Sequence, residues 1–431
     1  MIKQTKNDLA WDSLFNDYRI LEDVNKNGFY EIESKVINTV RESRLMAKFD
    51  HHVNLPRIFS DNKLSILPIS RTKYVIGKFD AYAKVKYNQE IENKLINFPY
   101  NIESIDYNDL YSESSALHCA YVSGIIEDVL EEQAKFTISG RMSTTSFDFN
   151  VRNILDNSLF NVNVKNSQCE IDAGFEGENS ILLIEAKNFS VEDFLIRQLY
   201  YPYRLWTNKL HKKVIPALMT YSNDVFSFFI YDFEDSSRYN SLVLRQQKNY
   251  IIAPERIELK EIFNLIGDTK IIEEPINVPF PQANNFERVI DLLGLLVNND
   301  LTKDDITENY QFDIRQTDYY TNAVIYLGLA YKYKNSETNE ILYSLTDEGK
   351  NIMKKKFKSK YISIVKKIIQ HEVFKKTLNR YFELGYQPNI DNICEIMKDC
   401  YIHNVSKEGS TIPRRAQTVN GWINWILGLT T

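Results

Sequence analysis

Seven residues, Ser180 to Ala186 (SILLIEA), constrain the fold more than any other stretch of the sequence. The run is apolar on both alternations, short enough for a strand, and opened by the turn residues Gly177-Glu178-Asn179, so it predicts a strand buried on both faces. Such a strand needs covering layers, and the flanking periodicities supply them. Ser114 to Glu132 places Leu117, Ala120, Tyr121, Ile125 and Val129 on one helical stripe. Phe136 to Val151 and Phe160 to Phe175 then alternate with a period of two. After the run, Ser190 is placed to cap a helix that carries Glu192 and Asp193 in its first turn and reaches about Asn208. Val214 to Tyr221 and Val225 to Phe233 are two further strands. The predicted order is helix, three strands, helix, two strands: an α/β unit.

Elsewhere the punctuation is sparse, with 14 Gly and 11 Pro in 431 residues. The strongest break is Glu273 to Asn285 (EEPINVPFPQANN), whose three prolines can continue neither a helix nor a central strand. It predicts a linker over 273–285. Before it stand an α+β region over 1–110 and the α/β unit over 111–272; after it come two mainly helical units, 286–349 and 350–431. Hydrophobic residues at 43% and charged residues at 26% lie near the globular averages of ~45–50% and ~25%, which excludes a disordered tail protein. Cys119, Cys169, Cys394 and Cys400 form no CxxC pair, so neither a zinc knuckle nor a disulfide framework is expected. No window of 18 apolar residues occurs and MIKQTKNDLAWDSLF has no apolar signal segment; the expectation is a cytoplasmic protein with no membrane partner. The net charge of −6 leaves nucleic acid open, because phosphate binding depends on a local basic face.

The chemistry sits at the end of the apolar run. Glu185 and Lys187 are two apart and project to one face of a strand, while Asp172 lies at the end of the preceding strand, which the hairpin pairing can bring alongside. Two carboxylates and an ammonium converging where a buried strand emerges suit phosphodiester hydrolysis. Hard oxygens hold Mg²⁺ while leaving it several waters, the metal polarises the phosphoryl oxygen, and the lysine offsets developing charge. The tripeptide alone is common: Glu33/Lys35, Asp61/Lys63, Glu92/Lys94, Glu258/Lys260, Asp268/Lys270 and Glu348/Lys350 share its acid-x-Lys spacing. Only the copy at Glu185 ends an apolar strand with an acid on the strand before it. The plain alternative is a solvated strand end.

Ile171-Asp172 … Ile184-Glu185-Ala186-Lys187 within this element order resembles the PD-(D/E)XK nuclease superfamily, and among its members the type II restriction endonucleases, over roughly residues 111–235. The resemblance implies a mixed central sheet flanked by helices, Mg²⁺ held by Asp172 and Glu185, and Lys187 positioning or activating the attacking water. Ile171 stands where the family usually has proline. Relatives often add an acid from the helix before the sheet; Glu113 is the first candidate and Glu127 the second. The resemblance further implies a double-stranded DNA substrate, a homodimer when cutting, and a companion DNA methyltransferase. Gln198 is a candidate supporter of the site, although the tyrosines after it do not match the Gln-x-x-x-Tyr element of exonuclease-like members. Glu170 is expected to be solvated, and Asp50-His51-His52 to be part of a basic loop.

Phe286 to Asn298, a segment capped by Thr302, and a segment containing Arg315 to Ala323 predict three helices, followed by a hairpin around Lys334 to Asn339. This order resembles a winged helix-turn-helix, whose third helix would enter the major groove. Arg315, Gln316, Tyr319 and Asn322 are the candidate base readers. Lys350 to Arg380 carries eleven Lys/Arg against one acid, and Lys354, Lys355 and Lys356 with Arg414 and Arg415 are the candidate phosphate contacts. Arg41, Arg44, Lys48, Arg57, Arg71 and Lys73 form a weaker basic surface near the N-terminus. The expected function is a Mg²⁺-dependent, sequence-specific DNA endonuclease. The alternative is a non-catalytic DNA-binding regulator on a nuclease-like scaffold.

Overall fold

A computed structural model describes residues 5–88, 90–110, 112–253, 255–310, 314–403, 405 and 411–430, with the side chains of 308–310, 314 and 315 outside that description. Its centre is a seven-stranded sheet built from β1 (Asn93–Ile96), β2 (Lys135–Ser143), β3 (Gln168–Glu176), β4 (Ser180–Lys187), β5 (Lys213–Ser222), β6 (Val225–Phe233) and β7 (Leu242–Ile252). The spatial order is β1-β7-β6-β5-β4-β3-β2. The β4/β5 and β7/β1 pairs are parallel and the others antiparallel, so the sheet is mixed. All eight residues of β4 are buried, as its unbroken apolar run requires.

Each face has its own core. Helices α1 (Glu113–Val122) and α2 (Ile125–Leu130) cover Ala173, Phe175, Leu182, Ile184 and Ala186. Helix α3 (Arg197–Thr207) covers Ile181, Leu183, Leu218 and Phe229 with Leu199, Tyr200 and Tyr201. The α1/α2 segment was expected as one helix. It breaks because Gly124 adopts φ +79°, a left-handed conformation that glycine reaches without a Cβ clash. The expected cap at Ser190 is also corrected: residues 193–195 form a short strand against 82–84, and α3 starts only at Arg197. Phe136 to Val151 proves to be two strands. Its first part joins the sheet as β2, and Phe147–Arg152 turns away to pair with Leu159–Val164. The sheet also reaches back across residue 110, since β1 pairs with β7.

Residues 6–77 add helices Lys6–Asp17 and Ile20–Asn27 and a three-stranded sheet around Trp11, Phe15, Phe59 and Ile76. Thr5 and Asp8 close a capping box on the first helix. In the C-terminal third, helices Phe286–Leu295, Lys303–Tyr310 and Ile314–Tyr326 precede strands Ala330–Lys334 and Ile341–Leu345, which pair with each other and with Leu301–Thr302. Five further helices end with Thr411–Gly428. A single core, from Phe286 through Ile364 and Phe374 to Trp422 and Ile426, runs through all of them. The proline-rich 273–285 stretch is irregular, as expected, but it is anchored. Glu274 accepts a hydrogen bond from Tyr326 Oη (2.6 Å), and the Ala283 carbonyl accepts one from Trp422 Nε1 (2.7 Å).

Candidate active site

The face of β4 that carries Leu183 also carries Glu185 and Lys187, since residues two apart along a strand share a face. Both charged side chains are buried, Glu185 at 8% and Lys187 at 6% exposure. Lys187 Nζ donates to Glu185 Oε1 at 2.6 Å, and Gln198 Nε2 of α3 donates to the same oxygen. Asp172 arrives by a different device. Between Ile171 and Gly174, strand β3 holds three steps against two in β2 (Gly140 opposite Ile171, Ile138 opposite Gly174), a bulge that interrupts the alternation. The consequence is visible in the packing: Cys169 and Ile171 face the α3 core, while Ala173 and Phe175 face the α1/α2 core. From this bulge Asp172 turns over the end of β4, and its Oδ2 accepts the Ala186 N–H at 2.8 Å.

Two more acids reach the cluster. Glu113 opens α1, where Ser112 and Ser115 form the capping box, and it interacts with Lys187, Glu185, Lys48 and Asp50. Glu127 is exposed on α2, beyond the Gly124 break, and is not brought in. Asp50 and Lys48 come from the N-terminal region and were not foreseen as site residues. Asp50 is held by its carbonyl, which accepts the Leu195 N–H (2.8 Å), and its Oδ1 is buried with no hydrogen-bond partner among the described residues. Lys48 Nζ lies 3.6 Å from the other oxygen, Oδ2. The Asp50-His51-His52 tripeptide was visible in the sequence, but only the fold shows that this loop closes over β4. Glu170 points outward and pairs with Arg141 at 3.2 Å.

Burial dominates the electrostatics. It pushes Glu185 up to about 7 against the lowering effect of Lys187, with Asp172 raising it further. Burial also raises Asp172 and Glu113, again opposed by Lys187. For Lys187 burial works downward, but Glu185, Glu113 and Asp50 outweigh it and keep the ammonium charged. Four carboxylates thus face two ammonium groups. The donors are hard oxygens, Asp50 has a buried oxygen with no hydrogen-bond partner among the described residues, and the surplus is negative, so the set fits a divalent cation such as Mg²⁺. As they stand, no three His, Cys, Asp or Glu among the described residues form a closed metal-holding group. Magnesium does not require one, since it is commonly held by one or two carboxylates and retains several waters.

The candidate DNA-contacting residues are placed less uniformly. Gln316, Tyr319 and Asn322 are half-buried and spaced by three along the helix Ile314–Tyr326, which aligns them on one face; the side chain of Arg315 lies outside the described residues. Lys354, Lys355 and Lys356 are exposed between two helices. Arg414 is exposed, but Arg415 is corrected: it is 7% exposed inside the C-terminal core, its guanidinium pulled down to about 10 by burial and by Arg414, and it presents little surface to a phosphate. Much of the Lys350 to Arg380 run is also engaged within the protein. Lys358 pairs with Glu255 and Glu261, Lys360 with Asp224, and Lys367 with Glu348.

Three family models match the chain, and each is described as a domain of unknown function: DUF6996 over residues 8–76, DUF6997 over 77–251 and DUF7226 over 288–431. The cluster draws Asp172, Glu185, Lys187 and Glu113 from the second segment and Lys48 and Asp50 from the first. No curated protein and no solved structure matches. Among the described residues no helix is long and apolar enough to cross a membrane.

Proposed function

We propose that this protein is a Mg²⁺-dependent endonuclease of double-stranded DNA, of the type II restriction class with a PD-(D/E)XK core and a winged-helix reading region. The observation that carries the reading is the surplus of carboxylates around a buried lysine at the mouth of β4, with Asp172 turned over Glu185 and Lys187 by a bulge. Bound there, Mg²⁺ would polarise a phosphoryl oxygen and acidify a water. Asp172, Glu185 and Glu113 are the residues that would hold it. Lys187 stays cationic and faces the place where negative charge accumulates, Gln198 fixes the rotamer of Glu185, and Asp50 with Lys48 closes the site from the N-terminal side. In the C-terminal third, the helix–strand–helix–helix–hairpin order and its three-stranded sheet support the winged-helix reading, with Gln316, Tyr319 and Asn322 presented on the third helix.

A second reading, a non-catalytic DNA-binding regulator, is favoured by one observation: Glu185 Oε1 is already engaged by both Lys187 and Gln198. One experiment separates the two. Purified protein is incubated with methylated and unmethylated plasmid in Mg²⁺, Mn²⁺ or EDTA, and the ends are sequenced. Discrete cuts with metal and none with EDTA are expected; intact DNA in every metal condition, with specific binding retained, selects the regulator.

A further inference from the structure

Lys187 does not stand alone on its face. In the strand register it lies beside Thr220, Thr220 beside Ser227, Ser227 beside Asn249, and Asn249 beside Asn93. At ~4.8 Å per strand this row places Thr220 one spacing from Lys187 and Asn93 about 19 Å away. A transverse row of polar residues is unusual on a face that α3 covers with Leu218, Phe229 and Tyr231 one step further along. Beyond the reach of α3 the face is roofed by the C-terminal third, and between the two lies a cavity of about 810 Å³. Clefts of ~300–1,000 Å³ are the size that takes a small molecule.

The walls specify the chemistry. Asn93 on the floor and Asn424 on the roof each present an amide, a donor and an acceptor together, with no side-chain hydrogen-bond partner among the described residues; Asn249, also on the floor, accepts from Gln247 Nε2 at 3.1 Å and offers its amide N–H groups. Phe286 and Trp425, with ring centroids 4.3 Å apart, form an aromatic wall. Arg256 is exposed at the rim and makes no ion pair among the described residues. Amides read the mixed donor and acceptor edge of a planar heterocycle, aromatic rings receive its face, and a free guanidinium takes a phosphate. A lipid would meet too many unsatisfied amides, and a simple anion would leave the aromatic wall unused. We infer that this cavity binds a nucleobase carrying a phosphate, either as a free nucleotide or as a base extruded from DNA held across the neighbouring cluster.

The test uses the full chain in EDTA, so that cleavage plays no part and the nuclease reading stands or falls separately. In one arm, the four ribo- and four deoxyribonucleoside 5′-monophosphates are titrated calorimetrically; in the other, duplexes carrying 2-aminopurine are followed by fluorescence, which rises when the base leaves the stack. Saturable binding in the first arm identifies a free nucleotide, and a fluorescence rise in the second an extruded base. Arg256→Ala should weaken nucleotide binding about tenfold while leaving unchanged the binding of the matching nucleosides, titrated alongside, and Asn93→Leu with Asn249→Leu should abolish the response in whichever arm shows it. Arg256 is exposed and unpaired, so its substitution leaves the fold intact, and Asn424→Ala on the exposed side of its helix gives a second variant with little structural cost. No response in either arm, or a response that none of these variants changes, overturns the proposal.

Discussion

Among the described residues two lysines are almost completely buried, and they have opposite surroundings. Lys360, in the helix Phe357–Ile369, meets the carboxylate of Asp224 at 2.5 Å, in the turn between β5 and β6, as a close charge pair without an aligned hydrogen bond at that oxygen. Lys187 stands among Glu185, Glu113 and Asp50, with Asp172 alongside. The first is a balanced pair that joins the C-terminal third to the sheet. The second is an unbalanced group, and an excess of like charge in a low-dielectric setting is costly unless something else supplies the missing cation. Burial of a charge therefore does not by itself mark function; the imbalance around it does.

The sharpest break of this comparison is to remove each lysine. Lys360→Met leaves the half-buried Asp224 without its cation, though still accepting from Tyr221 Oη, a loss of at most about 3–5 kcal/mol, the range for a fully buried pair. Urea unfolding should show that loss, while the cleavage rate per folded molecule stays at the wild-type value. Lys187→Ala should do the reverse in kind: single-turnover cleavage falls by roughly 10²–10³, the loss typical of one electrostatic donor, with DNA affinity nearly intact. If Lys187→Ala cuts normally, the cluster at β4 is not the site of cleavage.

A smaller effect distinguishes reading from holding. Gln316→Ala or Asn322→Ala should relax the preference for cognate over scrambled duplex by about 1–3 kcal/mol per bidentate base contact. Replacing Lys354, Lys355 and Lys356 together should weaken both duplexes equally, each lost phosphate contact lowering the log–log salt slope by ~0.9. Binding titrations at several salt concentrations measure both; equal, sequence-independent losses from the two sets would move recognition away from the helix Ile314–Tyr326.

The same contrast explains which parts of the site are legible in the sequence. Glu185 and Lys187 were visible because a strand has a fixed period of two and β4 is apolar on both faces. For Asp172 hairpin pairing is the sequence expectation and a bulge does the work; its trace in the sequence is the strand glycines Gly174 and Gly140, which mark an irregularity but not which way the side chain turns. Asp50 and Lys48 were missed as site residues because their approach is set by packing between segments more than 60 residues of chain away from α1, as the Asp50 carbonyl on Leu195 illustrates. In the C-terminal third the basic run is plain in the sequence, but its composition does not show that Lys358, Lys360 and Lys367 neutralise acids elsewhere in the chain, nor that Arg415 is interior.

The last effect concerns the seam between the two regions and is read step by step in pH. Asp291, on the helix Phe286–Leu295, is buried against the sheet, where it accepts hydrogen bonds from Ser222 Oγ at 2.9 and 3.0 Å and from the Ser190 N–H at 3.4 Å. Burial pushes its carboxyl up to about 8; Ser222 and Ser190 lower it, Glu287 raises it, and Arg288, itself 3.3 Å from Glu192, lowers it. Unlike the carboxylates at β4, this acid has no ammonium beside it and is most stable neutral. The sign follows from proton counting. Between the ordinary Asp value near 4 and about 8, the folded protein holds a proton that the unfolded chain has released, so stability falls as pH rises through that window, by at most ~1.4 kcal/mol per pH unit. Asp291→Asn keeps an acceptor for Ser222 and Ser190 and removes the titration. Urea unfolding of both proteins from pH 5 to pH 8 should therefore give a steeper decline for the wild type, with the variant gaining on it at each step; parallel curves would mean that Asp291 is ionised in the fold and that the seam, like Lys360 and Asp224, is held by a balanced charge.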